Sequence, residues 1–228
     1  MSGPQPSAGG VAVQAPFERV GVVVGLSAEA RLARRLGAAV AIGGGSPAGA
    51  RRAAVSLAER GVAALISFGL AGGLDPALPA GTVLVPQAVR QEGRLVPVDT
   101  GLAHALGGST GHTLLCGKIA IATAADKALA WRNTGCAAVD LETGAVVAVA
   151  AERGLGFAVL RAVCDTGNRD LPPAALAALD QQGMIGVGRV LASVLARPAQ
   201  LSALLGLARE AAAARQALAT RVALLRDR

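Results

Sequence analysis

Apolar residues in this chain come in short unbroken runs that end at glycine or at a carboxylate, and between the runs they recur at helical spacing. Val20 to Val24, Ala38 to Ile42, Leu65 to Phe68, Gly81 to Pro86, Thr113 to Cys116, Ile119 to Thr123 and Gly156 to Cys164 read as strands, as does the short apolar stretch at Val139 to Leu141. Continuous β-branched runs without polar alternation belong inside a parallel sheet covered on both faces. Helices are expected from Ser27, as an N-cap with Glu29 in the first turn, through Leu32 and Leu36, and from Pro47 to Arg60. Two more are expected, one beginning over Asp126 to Arg132 and one over Thr143 to Arg153. Gly93 to Leu115 reads as loop-rich. This alternation predicts one three-layer α/β domain with a mixed, largely parallel sheet and helices on both faces.

The ends have a different pattern. Residues 1–16 are rich in Gly, Pro, Ser and Ala without the basic start or apolar block of a signal peptide, so a disordered tail is expected before a domain over residues 17–198. Over residues 199–228 a helix is expected, with Leu201, Leu204, Leu205, Ala208, Ala211 and Ala212 on one stripe and Leu218, Val222 and Leu225 after it. Arg209, Arg215, Arg221, Arg226 and Arg228 decorate it. Two readings fit: a helix packed on the domain or a second subunit, and a basic amphipathic surface that makes transient contact with an anionic membrane. No run is long and apolar enough for a transmembrane helix, which needs about 20 such residues.

Composition narrows the function classes. A chain of 228 residues is large enough to bury a core without metal or disulfide staples. The aromatic residues are Phe17, Phe68, Phe157 and Trp131, too few for a surface that stacks nucleic-acid bases, and the net charge of +7 is spread along the chain, so no nucleic-acid partner is expected. Cys116, Cys136 and Cys164 are widely spaced in apolar surroundings, which argues against disulfides and zinc and for a reducing cytoplasm. His104 and His112 have no carboxylate or Cys at ligand spacing and read as loop residues, so no metal and no cofactor are expected.

The candidate chemistry sits where strands end. Leu65 to Phe68 drives into Gly69, Gly72 and Gly73, which read as a turn whose bare backbone lets a ligand approach. Glu142 and Asp165 each follow an apolar strand, and Glu29 follows the first. Ligands of open α/β sheets bind at such strand ends.

Taken in order, Leu65 to Pro76, Val139 to Thr143 and Leu160 to Asp165 resemble the purine nucleoside phosphorylase and nucleosidase superfamily, most closely its methylthioadenosine/adenosylhomocysteine nucleosidase branch, from about Val20 to Leu195. The run from Ala125-Asp126-Lys127 through Val139-Asp140-Leu141-Glu142 to Asp165 and Leu171-Pro172 is similar to the hopanoid-associated members, which act on adenosylhopane. The resemblance implies cleavage of the N-glycosidic bond of a 5′-substituted adenosine, a homodimer, and a site gathering Glu29, Gly72, Leu141, Glu142 and Asp165. It implies that a Glu on the turn after the first strand activates water. Without a gap Glu29 falls one position short of that Glu, where Ala30 stands, and a one-residue deletion after Gly25 restores the match. Relatives also insert a hairpin between this helix and Gly43-Gly44-Gly45, which is missing here. They commonly place a purine-stacking aromatic on the loop at Lys118 to Ile121, where this chain has Ala120.

Each carboxylate has two readings. Glu29 either complements its helix dipole or serves as the base. Glu142 either pairs with Arg161 or, as the family uses it, accepts the ribose hydroxyls, because an unpaired carboxylate is costly to bury. Asp165 either caps a helix ahead of Leu171-Pro172-Pro173 or, as in the family, protonates purine N7 so that the base departs neutral. For that it must hold its proton more tightly than an exposed Asp, which burial beside an apolar strand favours. Phosphorylases of the superfamily anchor phosphate with an Arg and a hydroxyl at positions that are here Ser67 and Leu70. A dianion facing Leu70 lacks a charged donor, so water is the expected nucleophile, although Gly43 to Ser46 still offer amides to an anion.

Overall fold

The computed structural model describes residues 17–173, residue 175 and residues 201–226. The expected tail over residues 1–16 and the domain boundary near residue 198 lie outside them, as does Arg228. The elements are β1 (Val20–Val24), α1 (Ser27–Ala33) with a 3-10 turn at Arg34–Leu36, β2 (Ala39–Ile42), α2 (Pro47–Glu59) and β3 (Ala64–Gly73). There follow β4 (Val83–Leu84), β5 (Ala88–Gln91), β6 (Arg94–Pro97), α3 (Thr100–Ala105), β7 (Thr113–Cys116) and α4 (Ala124–Thr134). The last are β8 (Ala138–Asp140), α5 (Thr143–Arg153), β9 (Gly156–Asp165) and α6 (Leu201–Arg226).

The strands form one sheet in the order β2-β1-β3-β8-β7-β5-β6, with β9 paired to β3 and β4. Pairing is parallel for β1 with β2 and β3, for β3 with β9, and for β7 with β5 and β8. It is antiparallel for β3 with β8, β4 with β9 and β5 with β6. The unbroken apolar runs explain the centre of this sheet, since every residue of β1 is buried and Leu65, Ile66, Phe68, Val159 and Leu160 are fully so. Helices cover both faces, α2 packing with α5 and α1 with α6. Ser46 caps α2 by accepting from the Gly49 amide at 3.2 Å, and Pro47 occupies its first position.

α6 belongs to the same core. Ala214, Leu218, Val222 and Leu225 recur at helical spacing, are buried, and pack toward β9, β3 and β4, while Arg221 donates to the Leu106 carbonyl at 3.1 Å. Arg209, Arg215 and Arg226 stay exposed. Among the described residues no helix is long and apolar enough to cross a membrane.

Several local expectations are corrected. Ser27 is the first helical residue rather than the cap; Leu26 takes the cap position, and the Glu29 side chain folds back to accept the amides of Gly25 and of Leu26 itself. Gly69, Gly72 and Gly73 are not a turn, because β3 runs straight through them. Gly81 to Pro86 contracts to the two residues of β4, and Gly93 to Leu115 contains β6 and α3, with His104 in that helix. Ile119 to Thr123 is no strand: the Gly117 amide closes on the Asp140 carbonyl at 2.7 Å, the chain leaves the sheet, and Ile119 is 77% exposed. Leu36 leads through Gly37, at φ 76°, into β2 with no hairpin between.

Candidate active site

β3 is ten residues long and changes neighbours along its length. Its first half pairs with β1 as far as Phe68, and its last two residues pair with β8. Between the end of β1 and the end of β8, which run toward each other on the same side of β3, a gap opens beside Gly69, Leu70 and Ala71. A switch of this kind is where an open α/β sheet makes its crevice. The segments that close the two strands carry Glu29 and Glu142 into the gap, and a Cβ on Gly25 would lie 2.9 Å from Glu142 Oε2 and 3.3 Å from Glu29 Oε2.

Glu29 is 5% exposed and held by backbone amides: Oε2 accepts from Gly25 at 3.0 Å and Leu26 at 2.9 Å, and Oε1 from Leu70 at 3.2 Å. Gly69 permits this. At φ 149°, a side chain there would meet Glu29 Oε1 at 2.7 Å and Arg161 Nη1 at 2.6 Å.

Arg161 lies beneath both carboxylates, 2% exposed. It donates to the Leu70 carbonyl at 3.2 Å and to Ser67 Oγ at 2.8 Å, and its Nε lies 2.7 Å from Asp140 Oδ2 as an ion pair without hydrogen-bond alignment. Asp140 also accepts the Thr143 hydroxyl and, on Oδ1, the amides of Glu142 at 3.2 Å and Thr143 at 2.9 Å, so it serves the start of α5. Glu142 is left with the remainder. Its Oε2 is 3.7 Å from Arg161, and its buried Oε1 has no partner among the described residues. Burial raises its pKa to about 7; Arg161 and the Gly45 backbone amide oppose the shift, and Asp140 and Glu29 add to it. An unpartnered acceptor beside a gap is what a ribose diol would satisfy.

Asp165 stands at the far end of β9, 5% exposed, beside Gly72, where a Cβ would touch its Oδ1 at 3.3 Å. The β3–β9 register slips here, so that Gly72 faces Asp165 rather than Cys164. Gly69 and Gly72 therefore put the two ends of the site about 10 Å apart along one strand, the span of a nucleoside. The expected apolar setting of Asp165 is corrected: Lys127, on α4 and 1% exposed, ion-pairs with Oδ2 and also donates to the carbonyls of Thr166 at 3.1 Å and Arg169 at 3.0 Å.

The remaining positions are less engaged. Leu141 is half-buried, and its side chain would meet a Cβ on Gly117 at 3.3 Å, which sets it beside the loop that precedes α4. Ala120, on that loop, is half-buried, with Ile119 projecting next to it. Leu70 contributes only its backbone to Glu29 and Arg161. Arg161, Asp140 and Lys127 carry the electrostatics of the site and were not among its expected members. A cation inside the apolar run Gly156 to Cys164 is the signal that marks Arg161; Lys127 falls in the Ala125-Asp126-Lys127 resemblance, which assigns it no role.

The anion question turns on donors. The Gly43 and Gly44 amides are engaged by the Val24 and Gly25 carbonyls at 2.7 and 2.9 Å, so they no longer offer a phosphate cradle. Arg161 does lie beside Ser67 and Leu70, the positions of the family's phosphate anchors, but three carboxylates already surround it. A phosphate dianion there would add charge to an excess of charge. Among the described residues no cluster of His, Cys, Asp and Glu is arranged to hold a metal ion. A cavity of about 700 Å³ between Pro79 to Val83 and α6 touches none of the carboxylates.

The geometry agrees with known folds. The chain matches solved structures of a 5′-methylthioadenosine/S-adenosylhomocysteine nucleosidase from Colwellia psychrerythraea in complex with adenine, at 17% identity and TM-score 0.60 over 78% of this chain and 94% of that one. It also matches futalosine hydrolase of Helicobacter pylori, at 15% identity and TM-score 0.61 over 78% and 97%. A third is S-adenosylhomocysteine nucleosidase from Streptococcus pyogenes in complex with 5-methylthiotubericidin, at 17% and 0.59 over 77% and 95%. At these identities the likeness establishes the fold. No curated protein matches the sequence. The family model of the phosphorylase superfamily matches residues 39–106 and 90–197, which together span more than half of the chain, and the chain belongs to that superfamily.

Proposed function

We propose that this protein is a purine nucleosidase that cleaves the N-glycosidic bond of a 5′-substituted adenosine with water and releases adenine. The observation that carries the reading is the division of buried carboxylates along β3: Glu29 and Glu142 at one end, Asp165 about 10 Å away at the other. Glu142 accepts the ribose hydroxyls and stabilises the positive charge that develops on the sugar. Glu29, fixed by three amides, takes the proton of the attacking water. Asp165 protonates N7, so the bonding pair of C1′–N9 leaves on a neutral purine. Nucleosidases among the similar folds support this reaction class, and the crowding of carboxylates around Arg161 supports water over phosphate.

The favoured substrate is adenosylhopane, converted to ribosylhopane. The Ala125-Asp126-Lys127 resemblance supports it, and so does the rim: with no hairpin before β2, Leu26 and Ile42 stand 39% and 45% exposed at the ends of β1 and β2, an apolar border for an apolar 5′ group. The half-exposed Leu95, Leu129 and Trp131 suit a homodimer contact, and the exposed Arg209, Arg215 and Arg226 suit a transient anionic membrane surface. A cytoplasmic location is in keeping with the free Cys116, Cys136 and Cys164.

The test is adenine release from adenosines carrying methylthio, homocysteinyl and apolar 5′ groups, with and without phosphate. Release without phosphate, fastest for the apolar group, is expected. Fastest release from the methylthio or homocysteinyl substrates assigns the methylthioadenosine/adenosylhomocysteine nucleosidase activity instead. Strict dependence on phosphate with a ribose 1-phosphate product makes the protein a phosphorylase, and no release from any substrate makes it a nucleoside-binding module.

A further inference from the structure

Lys127 has no part in the reaction as described, yet few side chains here are buried at greater cost. An ammonium removed from water costs several kcal/mol unless it is paired and fully hydrogen-bonded. Two carbonyls, of Thr166 and Arg169, would be enough for a structural clasp, but the third contact goes to the carboxylate that faces the base. The clasp is reinforced on both sides: the Ala124 amide at the start of α4 donates to Asp170 Oδ1 at 2.7 Å, and the Leu171 amide donates to the Ala122 carbonyl at 2.7 Å. Residues 165–171 are thereby fixed to α4, and the loop carrying Ala120 leads directly into that helix. With Oδ2 taken by Lys127, Asp165 keeps Oδ1 for a ligand, its hydrogen-bond neighbour there among the described residues being the weakly donating thiol of Cys164 at 3.3 Å.

We propose that Lys127 is the positioning residue of the acid: it fixes which Asp165 oxygen meets the leaving base, and it pairs with the carboxylate that remains once Asp165 has handed its proton on. The inference rests on the nucleosidase reading. Asp165 enters the step protonated on Oδ1; as the C1′–N9 bond breaks and its electron pair moves to the purine, that proton passes to N7, and the carboxylate left behind is paired through Oδ2 with the Lys127 ammonium. Water adds its oxygen to C1′ and its proton to Glu29. Return of that proton from Glu29 to Asp165 through solvent resets every side chain, with one water consumed per adenine released.

The experiment is a double-mutant cycle on adenine release, with thermal unfolding of every variant. Lys127→Met should lower kcat by about 10- to 100-fold at little changed KM, and Lys127→Arg, which keeps a charged donor, should recover part of it. In the Asp165→Asn background the same Lys127→Met change should alter the remaining rate by less than about twofold, because Lys127 acts only through Asp165. A merely structural clasp would instead cost the same factor in both backgrounds, and that result overturns the proposal while leaving the nucleosidase reading intact. If Lys127→Met does not fold, the comparison of Asp165→Asn/Lys127→Met with Asp165→Asn decides alone, since the double variant leaves no buried carboxylate unpaired. A wild-type protein that releases no adenine overturns the nucleosidase reading and this proposal together.

Discussion

The two ends of the site contain the same functional group in opposite electrostatic settings. Glu142 and Asp165 both follow buried strands and are both nearly inaccessible, at 8% and 5% exposure. Glu142 shares one guanidinium with Asp140 and Glu29, whereas Asp165 has an ammonium to itself. The difference shows that burial alone does not define a carboxylate; the count of nearby cations does. Where cations are short, an oxygen is left for hydroxyl donors to satisfy. Where a cation is private, the carboxylate is held in one orientation.

Removing Arg161 should break the comparison most severely. Arg161→Met leaves three buried carboxylates facing one another, and a loss of about 3–5 kcal/mol of stability is expected in denaturant unfolding at neutral pH. A loss below about 1 kcal/mol would mean that the Glu142 end does not depend on that cation.

Glu142→Gln sharpens it through pH. The folded-state pKa of Glu142 is raised from 4.5 to about 7, so below pH 4.5 the group is protonated in both states. Between 4.5 and 7 the unfolded chain releases the proton that the folded chain keeps, and stability falls as pH rises. The variant, which has no such proton, should match the wild type near pH 4.5 and exceed it by up to about 3 kcal/mol at pH 8. A gap that does not change with pH would place the Glu142 proton elsewhere.

At the opposite end, Asp165→Asn should keep the fold and lower adenine release by about 10²-fold or more. A variant that retains more than about a tenth of the wild-type rate removes Asp165 from the mechanism. The smallest effect expected is that of phosphate: the crowded carboxylates predict the same rate in its presence and absence, measured by free adenine and free ribosyl product.

The sheet was legible because its central strands are buried on both faces, which leaves unbroken runs such as Val20 to Val24 and Gly156 to Cys164. The edge was not. β5 and β6 have polar and exposed residues of no fixed period, and only the turn at Glu92-Gly93, with φ 48° and 80°, marks their hairpin. Glu142 and Asp165 were legible as candidates because each follows an apolar run directly, and Glu29 because it lies on the helix that opens just after one. Lys127 lies in the Ala125-Asp126-Lys127 run, but its contact was hidden because a lysine on an Ala-rich helix looks the same whether it faces water or an acid 38 residues later. The Gly69 to Gly73 stretch was misread because glycine permits a turn and an approach equally. Here it permits the approach, a strand close enough for Glu29 and Arg161 to lie against it.

The covering of β9 by α6 fixes an order of events during synthesis. β9 is complete at residue 165, but Leu218, Val222 and Leu225, which pack on the same core, are translated much later. Until residue 225 has left the ribosome, the face of β9, β3 and β4 that α6 occupies stays open to water and to other nascent chains. The domain therefore closes late and through contacts distant in sequence, the circumstance in which folding is slow and chaperone capture most useful.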